Sequence, residues 1–565
     1  MRAGLLSREI KRFGVPTSYL WRKATPHSAL ARAGCGPRAV GEPWHVRNLQ
    51  AREPGGPTLA LRLITVGPLR QRRGGNPEMH ERGKSDRPVV PANPSNKATA
   101  AEVGEERGRA KGNTVSKTRP GHRAGQGASN ALGRVREVAQ RDRKMRFTAL
   151  LHHVTLGRLR GAYWAISPKA AAGVDRVTWA DYGRDLEANL RGLHERVQSG
   201  RYRATPSRRA YIPKADGRQR PLGIASLEDK VVQRAVVEVL NAIYEVDFRG
   251  FSYGFRPGRG PHDALDALTV GIQTRRVNWV LDADIQNFFG QIDHAWLRTF
   301  VEHRIADKRI WRLIGKWLAA GVVEDGQWSA CEEGSPQGAS ISPLLANVYL
   351  HYVFDLWADW WRRHRANGDV IIVRFADDYT VGFQYEEDAR RFLAELVQRL
   401  AKFGLELHPD KTRLIEFGRR AATDRKRRGL GKPETFDFLG FTHVCARSRS
   451  GRFWVKRITI KKRLRAKLAE VKDQLRRRRH DSLPAQGRWL AQVLQGHMAY
   501  YAVPGNCDAV SAFRYEMTLH WRRSLRRRSQ RGRVSWERMG RYATRWLPPV
   551  RVMHPYPSVR LVVRT

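Results

Sequence analysis

Two adjacent carboxylates, Asp377 and Asp378, lie in the run Arg374-Phe375-Ala376-Asp377-Asp378-Tyr379, with apolar residues before and after it. The segment from Asp369 to Phe383 predicts two short strands flanking a tight turn at Ala376 to Asp378, with the aspartates at its tip. Along a regular strand neighbouring side chains face opposite ways, so consecutive acids serve one site only where the chain turns. Carboxylates within about 4 Å repel by roughly 4 kcal/mol at an effective dielectric near ~20, a cost that divalent cations reverse. An isolated Asp-Asp pair is most often a solvated loop or a helix cap, so a chemical role requires a third acid.

Asn278-Trp-Val-Leu-Asp-Ala-Asp-Ile-Gln-Asn-Phe-Phe289 supplies it. Strand alternation places Leu281, Ala283 and Ile285 on a packing face and Asp282 and Asp284 on the other. Asp284 is the expected ligand, and Asp282 is read as the partner of a nearby arginine or a supporting group. Three such acids offer oxygen ligands to two Mg²⁺ ions, with Mn²⁺ as an alternative ion. That arrangement suits in-line displacement at a nucleotide α-phosphate, one ion activating a 3′-hydroxyl and the other steadying pyrophosphate.

The rest of the chain must position these acids and supply a polyanion surface. Its 565 residues suffice for two to four domains. With 104 Lys and Arg against 54 Asp and Glu, the formal charge is +50, which points to nucleic acid; no apolar run is long enough to span a bilayer. Seventeen Trp, some beside arginines as in Trp360-Trp361-Arg362-Arg363 and Trp521-Arg522-Arg523, offer stacking faces or ordinary packing. The four cysteines are too scattered for a zinc ribbon or a disulfide framework, so a reducing intracellular setting is expected.

Residues 1–130 are rich in Arg, Gly, Pro, Ala and Ser and read as a basic, largely disordered extension. Their first forty residues contain one acid, Glu9, a composition shared by organelle transit peptides and by plain basic arms. Mixed helix and strand periods over 131–455 predict an α+β domain. Within it, Ser226 followed by Asp229 predicts a helix start, and Val232, Val236, Val239, Leu240 and Ile243 its buried stripe. Helical patterns at 461–479, 483–502 and 507–529 predict a small bundle within 456–530, and 531–565 reads as a basic RNA- or DNA-binding tail.

Phe-Ala-Asp-Asp resembles the Tyr/Phe-x-Asp-Asp signature of reverse transcriptases, and Asp284 falls at that family's first catalytic aspartate. The resemblance covers about residues 130–560 and is strongest to bacterial group II intron reverse transcriptase/maturases. It is carried, in order, by Ala172-Gly-Val-Asp175, Tyr211-Ile-Pro-Lys214, Arg220-Pro-Leu-Gly-Ile224, Tyr253-Gly-Phe-Arg-Pro-Gly258, Ser335-Pro-Gln-Gly338 and Phe438-Leu-Gly-Phe441. It implies a right-hand polymerase, with fingers and palm over 131–455 and a helical thumb or maturase region after it. Lys214 and Arg220 would hold the incoming triphosphate, where a solvated basic loop is the competing reading. Phe289 would close the sugar pocket against a ribose 2′-hydroxyl, or be a core aromatic. Gln337 would contact the incoming nucleotide, and Lys411 would lie close to the metal site or simply be a surface lysine. Asp377 would be the ligand shared by both metals, with Asp378 binding less directly. Gly290 stands where the family usually has Asp, and Ser335 where Thr is more usual.

Phe438 to Phe441 matches the family's primer grip, and Gly496 to Tyr501 with Pro504-Gly505-Asn506 matches its thumb. Basic runs at Arg476 to Arg479 and Arg526 to Arg528 would contact an RNA backbone. The resemblance implies copying of a host intron RNA into cDNA and binding of that RNA to aid splicing. The partners expected are group II intron RNA, an RNA template with its DNA primer, dNTPs and target DNA; a homodimer is compatible with the sequence. The expected location is the bacterial cytoplasm, with the nucleoid. Lacking the cysteine pairs of the His-Asn-His nuclease domain that many relatives carry, the chain is not expected to cut its target strand. A domesticated reverse transcriptase of a defence or diversity-generating system, and a non-catalytic splicing factor, remain the alternatives.

Overall fold

The computed structural model describes residues 126–213, 219–330, 334, 338–448, 450–529 and 533–561. The extension expected at 1–130 lies almost wholly outside them; the first described helix, Gln126–Arg141, runs across its predicted boundary.

Eleven strands among the described residues form three sheets. The first has the order β2-β1-β4-β5, from β1 (Ser207–Pro213), β2 (Gln219–Ile224), β4 (Val322–Glu324) and β5 (Gln327–Ser329). The second, antiparallel throughout, has the order β6-β7-β3-β8, from β3 (Trp279–Asp284), β6 (Val370–Phe375), β7 (Asp378–Phe383) and β8 (Arg413–Glu416). The third has the order β11-β10-β9, from β9 (Phe436–Phe438), β10 (Phe441–Arg447) and β11 (Phe453–Thr459). They fit the fingers, palm and primer grip of the expected α+β right hand.

The palm sheet is covered on both faces. Leu281, Ala283, Ile372, Val381 and Phe383 join the large core shared with the helices Leu227–Asp247 and Ser342–Leu350. Val280, Ile371, Val373 and Ile415 point the other way, against the helix Pro261–Thr274 and against Phe436, Phe438 and Phe441 of the primer-grip sheet. With a side-chain period of two, that second face continues from Val280 to Asp282 and Asp284. One sheet face is therefore apolar under the helix and carboxylate-lined at its open end.

The fingers helix Leu227–Asp247 begins as its sequence predicts: Ser226 caps it, accepting a hydrogen bond from the Asp229 amide at 3.2 Å, and its apolar stripe is buried. Asp229 is buried too, and accepts from the Tyr202 hydroxyl and from the amide and hydroxyl of Thr205. That explains how a carboxylate tolerates the core.

The thumb helices are Lys461–Arg477, Leu483–Tyr501 and Cys507–Arg526, close to the predicted spans. A fourth, Trp536–Trp546, packs Met539 and Ala543 into the same apolar core, so part of the segment read as a tail contributes to the bundle. Trp546 lies so close over Gly487 that a Cβ there would meet its ring at 2.5 Å. Trp361 and Trp521 are fully buried, whereas Trp360 stays partly exposed; packing accounts for the first two.

Thumb and palm are tied by buried polar contacts. Asn506 bonds the Thr459 amide at 3.0 Å and its hydroxyl at 2.8 Å. Arg457 pairs with Asp266 at 2.7 Å, and Arg560 reaches Asp263 and Asp266 on the same palm helix.

Candidate active site

The hairpin that carries Asp377 and Asp378 is tighter than predicted. Phe375 pairs with Asp378, leaving only Ala376 and Asp377 in the loop, so Asp378 is already the first residue of β7. Ala376 has φ +59°, as a two-residue hairpin loop requires at its first position. Glycine is the usual occupant there, and a left-handed backbone costs an alanine about 1–2 kcal/mol. The strain is held from behind by Gly254, where a Cβ would lie 2.2 Å from the Ala376 nitrogen.

Asp284 ends β3 and stands directly opposite Asp378 across the β3–β7 ladder. The loop after it is pinned by hydrogen bonds from His408 N to Asp284 O, 2.8 Å, and from Gln286 N to Glu406 O, 2.9 Å. The turn at His408 to Thr412 carries Lys411, whose ammonium forms an ion pair with the Asp284 carboxylate. Asp282 faces Thr380 on one neighbouring strand and Arg413 on the other.

Asp377, Asp378 and Asp282 respond to this crowding. Desolvation raises the Asp377 pKa and the charge of Asp284 adds to it, against the pull of its own backbone N–H, Arg220 and Lys411. Asp378 reaches the surface of the cleft, yet the protein around it excludes much of its water. That desolvation, then the charges of Asp377 and Asp284 and a hydrogen bond with Asp284, push it up to about 7. Asp282 also rises to about 7, through desolvation and then Asp437 and Asp284, with Arg413 opposing. Carboxyls pushed up by burial and then by one another suit a divalent cation, which favours their charged forms.

Among the described residues no three His, Cys, Asp or Glu side chains close a cage around an ion by themselves. Mg²⁺ is commonly bound by one or two carboxylates together with substrate phosphates and water, and an open set of acids fits that mode better than a cage.

Arg220 lies on exposed β2, and its charge acts on Asp377. Phe289 is half-buried in a short 3-10 turn, Phe288–Gly290, entered through Asn287 at φ +43°. Phe288, in the same turn, is buried. A Cβ on Gly290 would meet only the flexible amide end of Asn287. Lys214 and Gln337 lie outside the described residues. Gly334 packs on the backbone of Phe289 and Gly290, and Gly338, at φ +115°, on Gly223. The Gln233 side chain accepts from the Ser340 amide at 2.8 Å.

The segment that resembles the family's primer grip is two strands joined by Leu439 and Gly440, both at positive φ. The Tyr500 hydroxyl bonds the Leu439 carbonyl at 2.8 Å, and a Cβ on Gly440 would lie 3.2 Å from the Tyr501 hydroxyl oxygen. The first matched thumb motif thus docks on the primer grip.

Sequence reasoning missed Arg374, Asp355, Asn347 and Ser252, which lock the base of the hairpin. One signal was available: alternation puts Arg374 on the apolar face with Ile372, where a charge must find a buried partner.

Residues 212–443 match the family model for reverse transcriptase (RNA-dependent DNA polymerase). The chain is 37% identical over 220 residues to Protein YkfC of Escherichia coli K12, a match covering 38% of this chain and 58% of YkfC. It is 39% identical over 166 residues to the group II intron-encoded protein LtrA of Lactococcus lactis subsp. cremoris, covering 29% of this chain and 27% of LtrA. With nuclear intron maturase 3, mitochondrial, of Arabidopsis thaliana it shares 29% identity over 131 residues, covering 23% of this chain and 18% of the maturase. The matches thus span from about a fifth to somewhat over half of these relatives. Reverse transcriptases use divalent metal ions and act on nucleic acid, and among the described residues no helix is long and apolar enough to cross a membrane. These acids lie on a hairpin within the segment that matches reverse transcriptases, and the chain is similar to group II intron-encoded proteins and intron maturases.

Proposed function

We propose that this protein is an RNA-directed DNA polymerase that copies group II intron RNA into cDNA and binds the same RNA to promote splicing. The observation that carries this reading is the pairing of Asp284 with Asp378 across the palm sheet, with Asp377 beside them in a two-residue loop. Asp284, Asp377 and Asp378 would hold two Mg²⁺ ions, with Asp377 shared between them. When bound, the ions supply a lowered pKa at the primer 3′-hydroxyl and charge neutralisation at the pyrophosphate.

The chain's own residues do the rest. Arg220, with Lys214, binds the triphosphate, and Phe289 shapes the sugar pocket. Gln337 holds the nucleotide, between Gly334, which rests on Phe289, and Gly338, which rests on Gly223. Lys411 balances the charge of Asp284 until the substrate arrives, and Asp282 supports the site through Arg413. The primer 3′-oxygen then bonds to the α-phosphorus, and pyrophosphate leaves.

The thumb offers an exposed basic face, with Lys461, Lys462, Arg463, Arg465, Arg476 and Arg477 on its first helix. That surface suits an RNA or hybrid backbone. An existing DNA end at the target would serve as primer, and the expected setting is the bacterial cytoplasm, with the nucleoid.

The test is primer extension on an RNA template with Mg²⁺ and dNTPs. Wild-type protein should extend the DNA primer and Asp377→Ala should not; equal synthesis by both would overturn the proposal.

A further inference from the structure

Arg374 is fully buried and faces Asp355, which is equally buried. All five of its N–H donors are used. Nε and Nη2 bond the two Asp355 oxygens at 2.7 and 2.6 Å, and Nη2 also bonds Ser252 Oγ at 2.7 Å. Nη1 bonds Asn347 Oδ1 at 3.1 Å and the carbonyl of Ala376 at 2.9 Å. Asn347 in turn donates to the Gly254 carbonyl at 2.7 Å, the residue packed behind the hairpin tip.

The supporting helix is built for this contact. It runs as α-helix over Ser342–Leu350, widens to a π turn at His351–Asp355, and resumes as α-helix over Leu356–His364. At about 100° per residue, an uninterrupted α-helix would leave Asp355 about 80° away from the face of Asn347. The wider π turn rotates less per residue and brings the two side chains to one guanidinium. Such turns recur where a helix serves a site.

A buried ion pair is a weak device for stability, because an apolar pair of similar volume does as well. What this one adds is a fixed hydrogen bond to the strained loop. The Ala376 carbonyl and the Asp377 N–H belong to one planar peptide, and the Asp377 side chain extends from the Cα bonded to that nitrogen. Fixing the oxygen end of the plane fixes the end that holds the carboxylate.

We propose that Arg374 is a positioning residue of the metal site, aiming the Asp377 carboxylate through the Ala376 carbonyl while Asp355, Asn347 and Ser252 hold its guanidinium. The inference rests on the reading of Asp377 as a metal ligand.

The test measures Mn²⁺ affinity by electron paramagnetic resonance, on full-length protein bound to an RNA template and a primer lacking its 3′-hydroxyl, beside thermal unfolding. The double variant Arg374→Met/Asp355→Leu removes both buried charges and leaves none unpaired. It should unfold near the wild-type temperature yet bind Mn²⁺ at least about tenfold more weakly, as loss of a ligand-orienting contact does. Wild-type affinity in that folded variant would overturn the inference. Should the double variant fail to fold, Arg374→Lys decides: it keeps a charge for Asp355, but its three donors cannot serve every acceptor, so weaker Mn²⁺ binding supports the inference and unchanged binding overturns it. Asp377→Asn is the reference, and unchanged Mn²⁺ affinity in that variant alone would refute the ligand reading beneath the inference.

Discussion

Asp282→Asn separates the supporting acid from the ligands. The Asp282 carboxyl rises from 3.8 to about 7, through desolvation first and the neighbouring acids second. At about 1.4 kcal/mol per pH unit, ionising it in the folded protein costs at most about 4 kcal/mol. Asp282 is half-buried beside Arg413, and solvent screening brings the expected cost to about 2 kcal/mol. Because the folded protein holds this proton more tightly than the unfolded chain, the stabilisation is complete below about pH 4 and is lost as pH rises through about 7. Metal-free wild type should therefore lose stability from pH 5 to pH 8. Over that window Asp282→Asn should lose about 1 kcal/mol less, about two thirds of the whole effect, seen as a higher unfolding temperature at pH 8 and a smaller change at pH 5. Urea or thermal unfolding in EDTA at both values makes the measurement. A variant equally destabilised at both, or a wild type that gains stability with pH in that window, would refute the reasoning. Primer extension by the variant should stay within about tenfold of wild type, as for an outer residue of a metal site.

The raised Asp378 carboxyl, at about 7, must lose its proton when metal binds. The Mg²⁺ concentration for half-maximal extension should therefore climb as pH falls from 7 to 6, by up to about tenfold; a flat profile between pH 6 and 8 would contradict the shared-carboxylate site. Gly254→Ala places a Cβ 2.2 Å from the Ala376 nitrogen, so extension should fall about 100-fold with a stability loss of about 1–3 kcal/mol, read by single-turnover kinetics and unfolding. Neutralising the exposed Arg476 and Arg477 to Gln should lower the slope of log affinity against log salt by about 1 to 2 in filter binding to intron RNA. An unchanged slope would place the RNA elsewhere.

Local signals carried much of the fold. Ser226 and the stripe from Val232 to Ile243 announced their helix, the apolar alternation from Leu281 to Ile285 announced β3, and three thumb helices followed their apolar periods. Signals failed where geometry depends on distant contacts. The stretch from Phe436 to Arg447 breaks into two strands at Leu439, whose left-handed backbone meets Tyr500 of the distant thumb, a contact no local pattern signals. Trp536–Trp546 looks like a basic tail until Met539 and Ala543 meet the core of the other thumb helices. The meeting of the three acids was legible because strand alternation put Asp284 on the open face of β3, and the structure sets it opposite Asp378. The Arg374 network was not, because its partners Ser252, Asn347 and Asp355 come from two distant segments and a π turn that no period signals.

The most direct test of the account is anomalous diffraction from Mn²⁺ in a complex of this protein with RNA template, DNA primer and an incoming dNTP. The account predicts two peaks, both within coordination distance of Asp377 and at least one touching Asp284. Peaks centred on Asp282 or Asp437, or none at the hairpin, would contradict it.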